Sequence, residues 1–202
     1  MLDRLIQWDT QWFLQLNGLN SAWCDEVMWA VSGKLTWIPL YLFILFLIIR
    51  KYRWKSLVIL LVFIPLLVTA SDQLSVLIKN SVERLRPCHT PEIQNMVHLV
   101  RGHCGGKYGF VSSHASNMFA IALFTALLLQ KRLYTLLIIL WAAWVAYSRI
   151  YLGVHFPGDV LGGALIGILL GVGFSKLYAR TEKAWLERWL FFREPEKRSP
   201  AH

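Results

Sequence analysis

The chain has 202 residues, 56% of them hydrophobic and only 16% charged, with a mean hydropathy of +0.46. A domain this far below the usual charged share of roughly 25% cannot clothe a water-facing surface, so composition excludes an ordinary soluble globule. The formal charge of +9 sits in short clusters between apolar runs, without any recognition motif; that excludes nucleic acid as a partner and fits a membrane with anionic head groups.

The length suits one domain. It divides into an interfacial N-terminal segment (1–33), a transmembrane catalytic core (34–178) and a cytoplasmic tail (179–202). In the first segment Leu2, Leu5, Ile6, Trp8, Trp12, Phe13 and Leu16 recur at helical spacing, with Asp3, Arg4, Gln7 and Asp9 between them. This pattern predicts an amphipathic helix lying in the interface.

A membrane span needs about 20 residues and tolerates about 17. Five runs approach this: Leu35 to Ile49 (with 29–33 as its approach), Leu57 to Ile78, Ala115 to Leu129, Leu133 to Tyr147 and Val160 to Tyr178. The expected fold is therefore all-α, an integral membrane bundle of about five transmembrane helices plus the N-terminal interfacial helix. Ser71, Asp72 and Gln73 interrupt the second span and should face protein or water. Glycines at 162, 163, 167, 171 and 173 in the fifth should let a neighbouring helix come close. After Lys176 the sequence mixes Arg180, Lys183, Arg188, Lys197 and Arg198 with Trp185, Trp189 and Phe191, which predicts a helix on the membrane surface, fraying at Pro195 and Pro200.

Arg50, Lys51, Arg53 and Lys55 form one short basic loop, Lys131 and Arg132 another, and the tail is basic as well. These alternate correctly with five spans if all three are cytoplasmic. The loops around 79–114 and 148–159 then lie on the outer side, giving a protein of the bacterial inner (plasma) membrane whose site faces the periplasm or exterior. Lys79, Arg84, Arg86, Arg101 and Lys107 on that outer side run against a simple charge count and are assigned to ligand binding. Cys88 and Cys104 share the first outer loop: a disulfide is one reading, two unpaired thiols the other, and Cys24 stays free.

Three clusters in the outer loops carry chemistry. Lys79 and Arg86, seven residues apart and followed by Pro87, would share one face of a helix at roughly 10 Å and clamp an anion. Ser112 or Ser113 caps the third span and leaves His114 in its first turn, where free N–H groups bind anions. Five residues separate Ser148-Arg149 from His155, and three separate His155 from Asp159. Pro157 suits the first turn of the fifth span, so Asp159 reaches back to one nitrogen of His155 and fixes its tautomer.

The order Lys79-x6-Arg86-Pro87, then Ser112-Ser113-His114, then Ser148-Arg149-x5-His155-x3-Asp159 resembles the tripartite signature of the type 2 phosphatidic acid phosphatase superfamily, which also includes vanadium haloperoxidases and acid phosphatases. The second motif departs from the family's Pro-Ser-Gly-His, with Val111 for Pro and Ser113 for Gly. The resemblance implies a membrane lipid phosphatase. His155 would attack phosphorus, Asp159 would orient it, and His114 would protonate the leaving group and then activate water. Lys79, Arg86, Arg149, Ser112 and the N–H groups at Ser113 and His114 would hold the phosphoryl oxygens. No cofactor or metal is expected, since the cations supply the positive charge and the outer loops carry no carboxylate cluster. The substrate is a lipid phosphate such as phosphatidate, phosphatidylglycerophosphate, a polyprenyl pyrophosphate or a lipid A phosphate. The sequence does not choose among them, nor does it set the oligomeric state. Transfer of the phosphate to another lipid is the alternative within the chemistry; a transporter lined by the 71–73 trio is the alternative outside it, disfavoured because the ionisable cluster lies at one face.

Overall fold

The computed structural model describes residues 2–193. Seven α-helices account for most of them: α1 (Leu2–Gly18), α2 (Ala22–Ser32), α3 (Ile38–Lys51), α4 (Trp54–Val82), α5 (Ser113–Leu129), α6 (Arg132–Tyr151) and α7 (Pro157–Arg193). Among the described residues the only β pairing is a single bridge, Leu85 with Tyr108, inside the loop between α4 and α5.

The bundle is inside-out relative to a soluble protein. Leu42, Phe46, Leu61, Leu136, Leu165 and Leu169 are all more than half exposed, while Ser71, Ser75, Ser112, Ser116 and Ser148 are fully buried. So large an apolar exterior is stable only in lipid. Three helices (α4, α6 and α7) are each long and apolar enough to cross a bilayer; α2 and α3 make a fourth such unit, bent by 72°. The protein is an integral membrane protein of helical bundle type.

α5 is the central helix. It is a shorter apolar helix, and it is packed between α4, α6 and α7. The glycines of α7 explain the tightest of these contacts. A Cβ on Gly163, Gly167 or Gly171 would fall 2.3, 2.2 and 2.7 Å from the carbonyl oxygens of Ser112, Ser116 and Ala120. Their spacing of four residues lines them up on one ridge, so the two backbones touch along three turns.

The stretch at 29–33, expected as the approach to the first span, is the end of a separate helix that meets α3 at a sharp bend. α2 ends where Gly33 turns extended (φ −72°, ψ 132°), and α3 starts afresh after a short 3-10 turn at 35–37. Trp37 Nε1 donates to Val31 O at 2.7 Å and sets the corner. The expected surface helix after Lys176 is corrected as well. No glycine or proline interrupts 174–193, and α7 continues unbroken to Arg193. Lys197, Arg198, Pro195 and Pro200 lie outside the described residues, and so do the side chains of Arg188, Trp189 and Phe191. Of the polar trio, Ser71 is buried and shares a hydrogen with Ser116 Oγ at 2.7 Å, but Gln73 points away from the bundle.

α1 exposes Leu5, Ile6, Trp8 and Trp12 on one face and buries Phe13 and Asn17 on the other. Asn17 Nδ2 donates to Tyr151 O (2.8 Å) and His98 O (2.9 Å), and its Oδ1 accepts from His98 N at 2.8 Å. The amphipathic helix is thus docked to the end of α6 and to the long loop before α5 by a face that carries both Phe13 and Asn17.

Candidate active site

The end of α4, the starts of α5 and α7 and the end of α6 all meet at one end of the bundle. The basic turns at 50–55 and 131–132 lie at the other, where Lys51 Nζ donates to Leu128 O at 2.7 Å and so completes the C-terminus of α5.

His155 sits in the short turn between α6 and α7, only 3% exposed. Gly153, at φ +80°, provides the reversal that α6 needs to release the chain there. Pro157 opens α7, and Asp159 in its first turn accepts the Phe156 amide at 3.0 Å. The same carboxylate oxygen lies 3.3 Å from His155 Nδ1. One helix turn therefore builds both the cap and the histidine–aspartate pair. Burial, then the charges of Arg86, Arg149 and Lys79, push the His155 pKa well below the ordinary imidazole value. With Nδ1–H directed at Asp159, a neutral ring carries its lone pair on Nε2.

The second cluster meets the third through the backbone. Ser112 N donates to Asp159 O at 2.9 Å, while Ser112 Oγ caps α5 by accepting from Ala115 N at 3.4 Å. Ser113 starts the helix and His114 follows in its first turn. Lys79 Nζ donates to Ser113 Oγ, which carries the end of α4 to the start of α5.

Arg86 reaches the site by another route than the helical face expected for it. α4 stops at Val82 because Glu83 adopts the left-handed conformation (φ 52°) and returns its N–H to Lys79 O at 2.9 Å. Arg86 then lies on extended chain, held by Arg86 N to Lys107 O at 3.1 Å. Its side chain donates from Nε to Tyr108 O (3.2 Å) and from Nη1 to Cys104 O (3.0 Å). Burial pulls its pKa down and Asp159 opposes the shift. A Cys88–Cys104 disulfide, Cα atoms 6.0 Å apart, closes the loop that supplies these carbonyls.

Arg149 stands in the last turn of α6 and donates to Ser32 Oγ on α2, while its buried Nε has no partner. The other outer cations do not join the cluster as free ligand-binding groups. Arg84 pairs with Asp9 and Asp159, and Arg101 pairs with Glu26 at 2.5 Å over the ring of Trp29. A cavity of about 230 Å³ opens beside His114, lined by the polar residues Ser32, Lys34 and Asn117 and by apolar ones such as Tyr41, Met118 and Ile121.

The structure thus brings together His155, Asp159, Ser112, Ser113, Lys79, Arg86, Arg149 and His114. Sequence reading missed Asp9, Ser32 and Lys34. Ser32 and Lys34 flank Gly33, a helix-ending signal, but nothing local ties either one to α5 or α6.

Residues 57–183 match the PAP2 superfamily. The chain is 41% identical to a lipid A 4'-phosphatase of Bacteroides thetaiotaomicron, an alignment covering 83% of this chain and 75% of that one. It is 34% identical to a lipid A 4'-phosphatase of Porphyromonas gingivalis over 92% and 79% of the two chains. Among solved structures it resembles a PAP2-type transmembrane phosphatidylglycerolphosphate phosphatase of Bacillus subtilis, with a TM-score of 0.65 and 25% identity over 88% and 87% of the chains. A match over most of the chain, joined to a helix-terminus site of histidines and phosphate-type cations, places the protein in the PAP2 superfamily as an integral membrane lipid phosphatase.

Proposed function

We propose that this protein removes a phosphate monoester from a lipid A-type glycolipid at the outer face of the membrane, without a metal, through a phosphohistidine on His155. One observation carries the chemistry: a buried His155 is paired on Nδ1 with Asp159, and burial with the charges of Arg86, Arg149 and Lys79 lowers its pKa. A neutral imidazole is a nucleophile, and three fixed cations oppose the charge that develops on the phosphoryl oxygens.

His155 Nε2 forms a bond to phosphorus as the bond from phosphorus to the lipid oxygen breaks. His114 gives its proton to that oxygen. Water then attacks the phosphoryl group, His114 takes a proton from it, the P–N bond breaks and phosphate leaves. Asp159 holds Nδ1–H throughout and offsets the imidazolium charge. The cavity beside His114, lined by both polar and apolar side chains, suits the lipid leaving group.

The glycolipid assignment rests on the two lipid A 4'-phosphatase relatives. The outer-face assignment is supported by the separation of the site from the two basic turns at the other end of the bundle.

Purified protein in detergent, given lipid A, phosphatidylglycerophosphate and a polyprenyl pyrophosphate in excess EDTA, is expected to release phosphate fastest from lipid A. Failure to act on lipid A while cleaving another member of the panel would remove the glycolipid assignment. A strict divalent-metal requirement would remove the metal-free mechanism.

A further inference from the structure

Asp159 is fully buried, and its two oxygens have different partners. Oδ2 faces His155 Nδ1 (3.3 Å) and Phe156 N (3.0 Å). Oδ1 accepts from Arg84 Nη1 at 3.0 Å. The other fork of Arg84, Nη2, donates to Asp9 Oδ2 on α1 at 2.6 Å. The second oxygen of Asp9 accepts from Gly158 N at 2.7 Å, at the opening of α7. Charge therefore alternates along a line: imidazole, carboxylate, guanidinium, carboxylate, helix N-terminus.

The line is set among apolar groups. The Arg84 guanidinium lies 4.3 Å over the ring of Phe156, the residue after the histidine. Phe156 packs edge-on against Phe13 of α1 at 5.3 Å, and Phe13 is fully buried. Asp9 and Arg84 line a groove of about 1040 Å³ together with mostly apolar residues such as Trp8, Trp12, Val82, Phe110 and Leu161. The pair is mostly buried, which fixes its geometry more firmly than that of a fully exposed pair.

We propose that Asp9 and Arg84 are positioning residues for the catalytic histidine: α1 supplies the carboxylate that holds Arg84 on the outer oxygen of Asp159 and leaves the inner oxygen for His155. Arg84 keeps a buried carboxylate ionised, which Asp159 must be to stabilise the phosphohistidine. Asp9 shares the charge of Arg84, so the guanidinium does not take the whole of the carboxylate away from the imidazole. Without Asp9 the ion pair closes on Asp159 alone; without Arg84 the buried carboxylate loses its counter-charge. Asp9 belongs to none of the three motif clusters and comes from a helix outside residues 57–183, while Arg84 is one of the six unspecified positions between Lys79 and Arg86.

The inference rests on His155 as nucleophile, and one experiment separates the two. Asp9→Asn, Arg84→Gln, Asp159→Asn, His155→Ala and the double variant Asp9→Asn/Asp159→Asn are assayed with p-nitrophenyl phosphate, alongside thermal melting in detergent. Asp9→Asn and Arg84→Gln are expected to lower kcat on the order of 10–100-fold, the cost typical of losing a partner that orients a working histidine, with KM nearly unchanged. Asp9→Glu should recover most of the loss. The double variant should be no slower than Asp159→Asn, because Asp9 acts through that carboxylate. Full activity in Asp9→Asn with an inactive His155→Ala overturns the relay alone. Losses that multiply in the double variant, or a change confined to KM, overturn it too. Full activity in His155→Ala overturns the nucleophile and the relay together.

Discussion

Gly163 faces the Ser112 carbonyl so closely that a Cβ there would lie 2.3 Å from the oxygen. Ser112 caps α5 and its amide binds the Asp159 carbonyl, so this contact sets the distance between the second and third motif clusters. Gly163→Ala is expected to destabilise the protein by about 1–3 kcal/mol, the usual cost of overpacking. Gly173→Ala is the control, since nothing lies within 4 Å of its would-be Cβ, and it should stabilise the helix by up to about 1 kcal/mol. Melting of both variants in detergent checks the pair; equal melting temperatures would refute the close approach of α5 and α7.

His114 lines the cavity that also holds Lys34 and Asn117. If it protonates the departing oxygen, His114→Ala should slow hydrolysis of an alkyl phosphate by about 10²–10⁴-fold. The effect should shrink for p-nitrophenyl phosphate, whose leaving group needs no proton. Parallel assays on the two substrates provide the measurement. Equal losses would move His114 from acid to phosphate binding.

The pH profile follows from the field at His155. Burial and the charges of Arg86, Arg149 and Lys79 lower its pKa, so the imidazole remains unprotonated as pH falls through the ordinary histidine value of about 6.5. Any loss of kcat/KM on the acid side that reports His155 should therefore begin below that value. Removing one positive charge, as in Arg149→Gln, weakens the depression and shifts that loss to higher pH, beside a general fall in rate. A rate profile across acid pH for both proteins tests the sign, and a shift toward lower pH in Arg149→Gln would contradict it.

The Cys88–Cys104 disulfide spans 16 residues and holds the carbonyl that receives Arg86 Nη1. Cys88→Ser/Cys104→Ser is expected to cost about 3 kcal/mol of stability through loop entropy and to raise KM for phosphate esters as Arg86 loosens. Melting and steady-state kinetics read the two effects separately. An unchanged KM would mean that the loop holds Arg86 without the bridge.

The parts of the site legible in the sequence are those made within one or two helix turns. Ser112 as the cap of α5, Pro157 as the start of α7 and the reach of Asp159 back to His155 all follow from local rules of helix termini. The apolar runs gave the helices of the core in their right order for the same reason: lipid demands continuous hydrophobic stretches. The helical face shared by Lys79 and Arg86 failed because nothing in the letters marks Glu83 as left-handed. That conformation is set by the loop folding back, with Gly109 N donating to Arg84 O at 2.8 Å.

The sequence by itself determined the membrane class, the family signature and most residues of the candidate site, because hydropathy and helix capping act between near neighbours. Only the tertiary structure decided that α1 reaches into the site, that Arg84 stands between Asp9 and Asp159, and that Ser32 holds Arg149. Asp9 and Gly158 are 149 residues apart in the chain. Contacts at that distance are chosen by how whole helices pack, and no periodicity or local spacing records that choice.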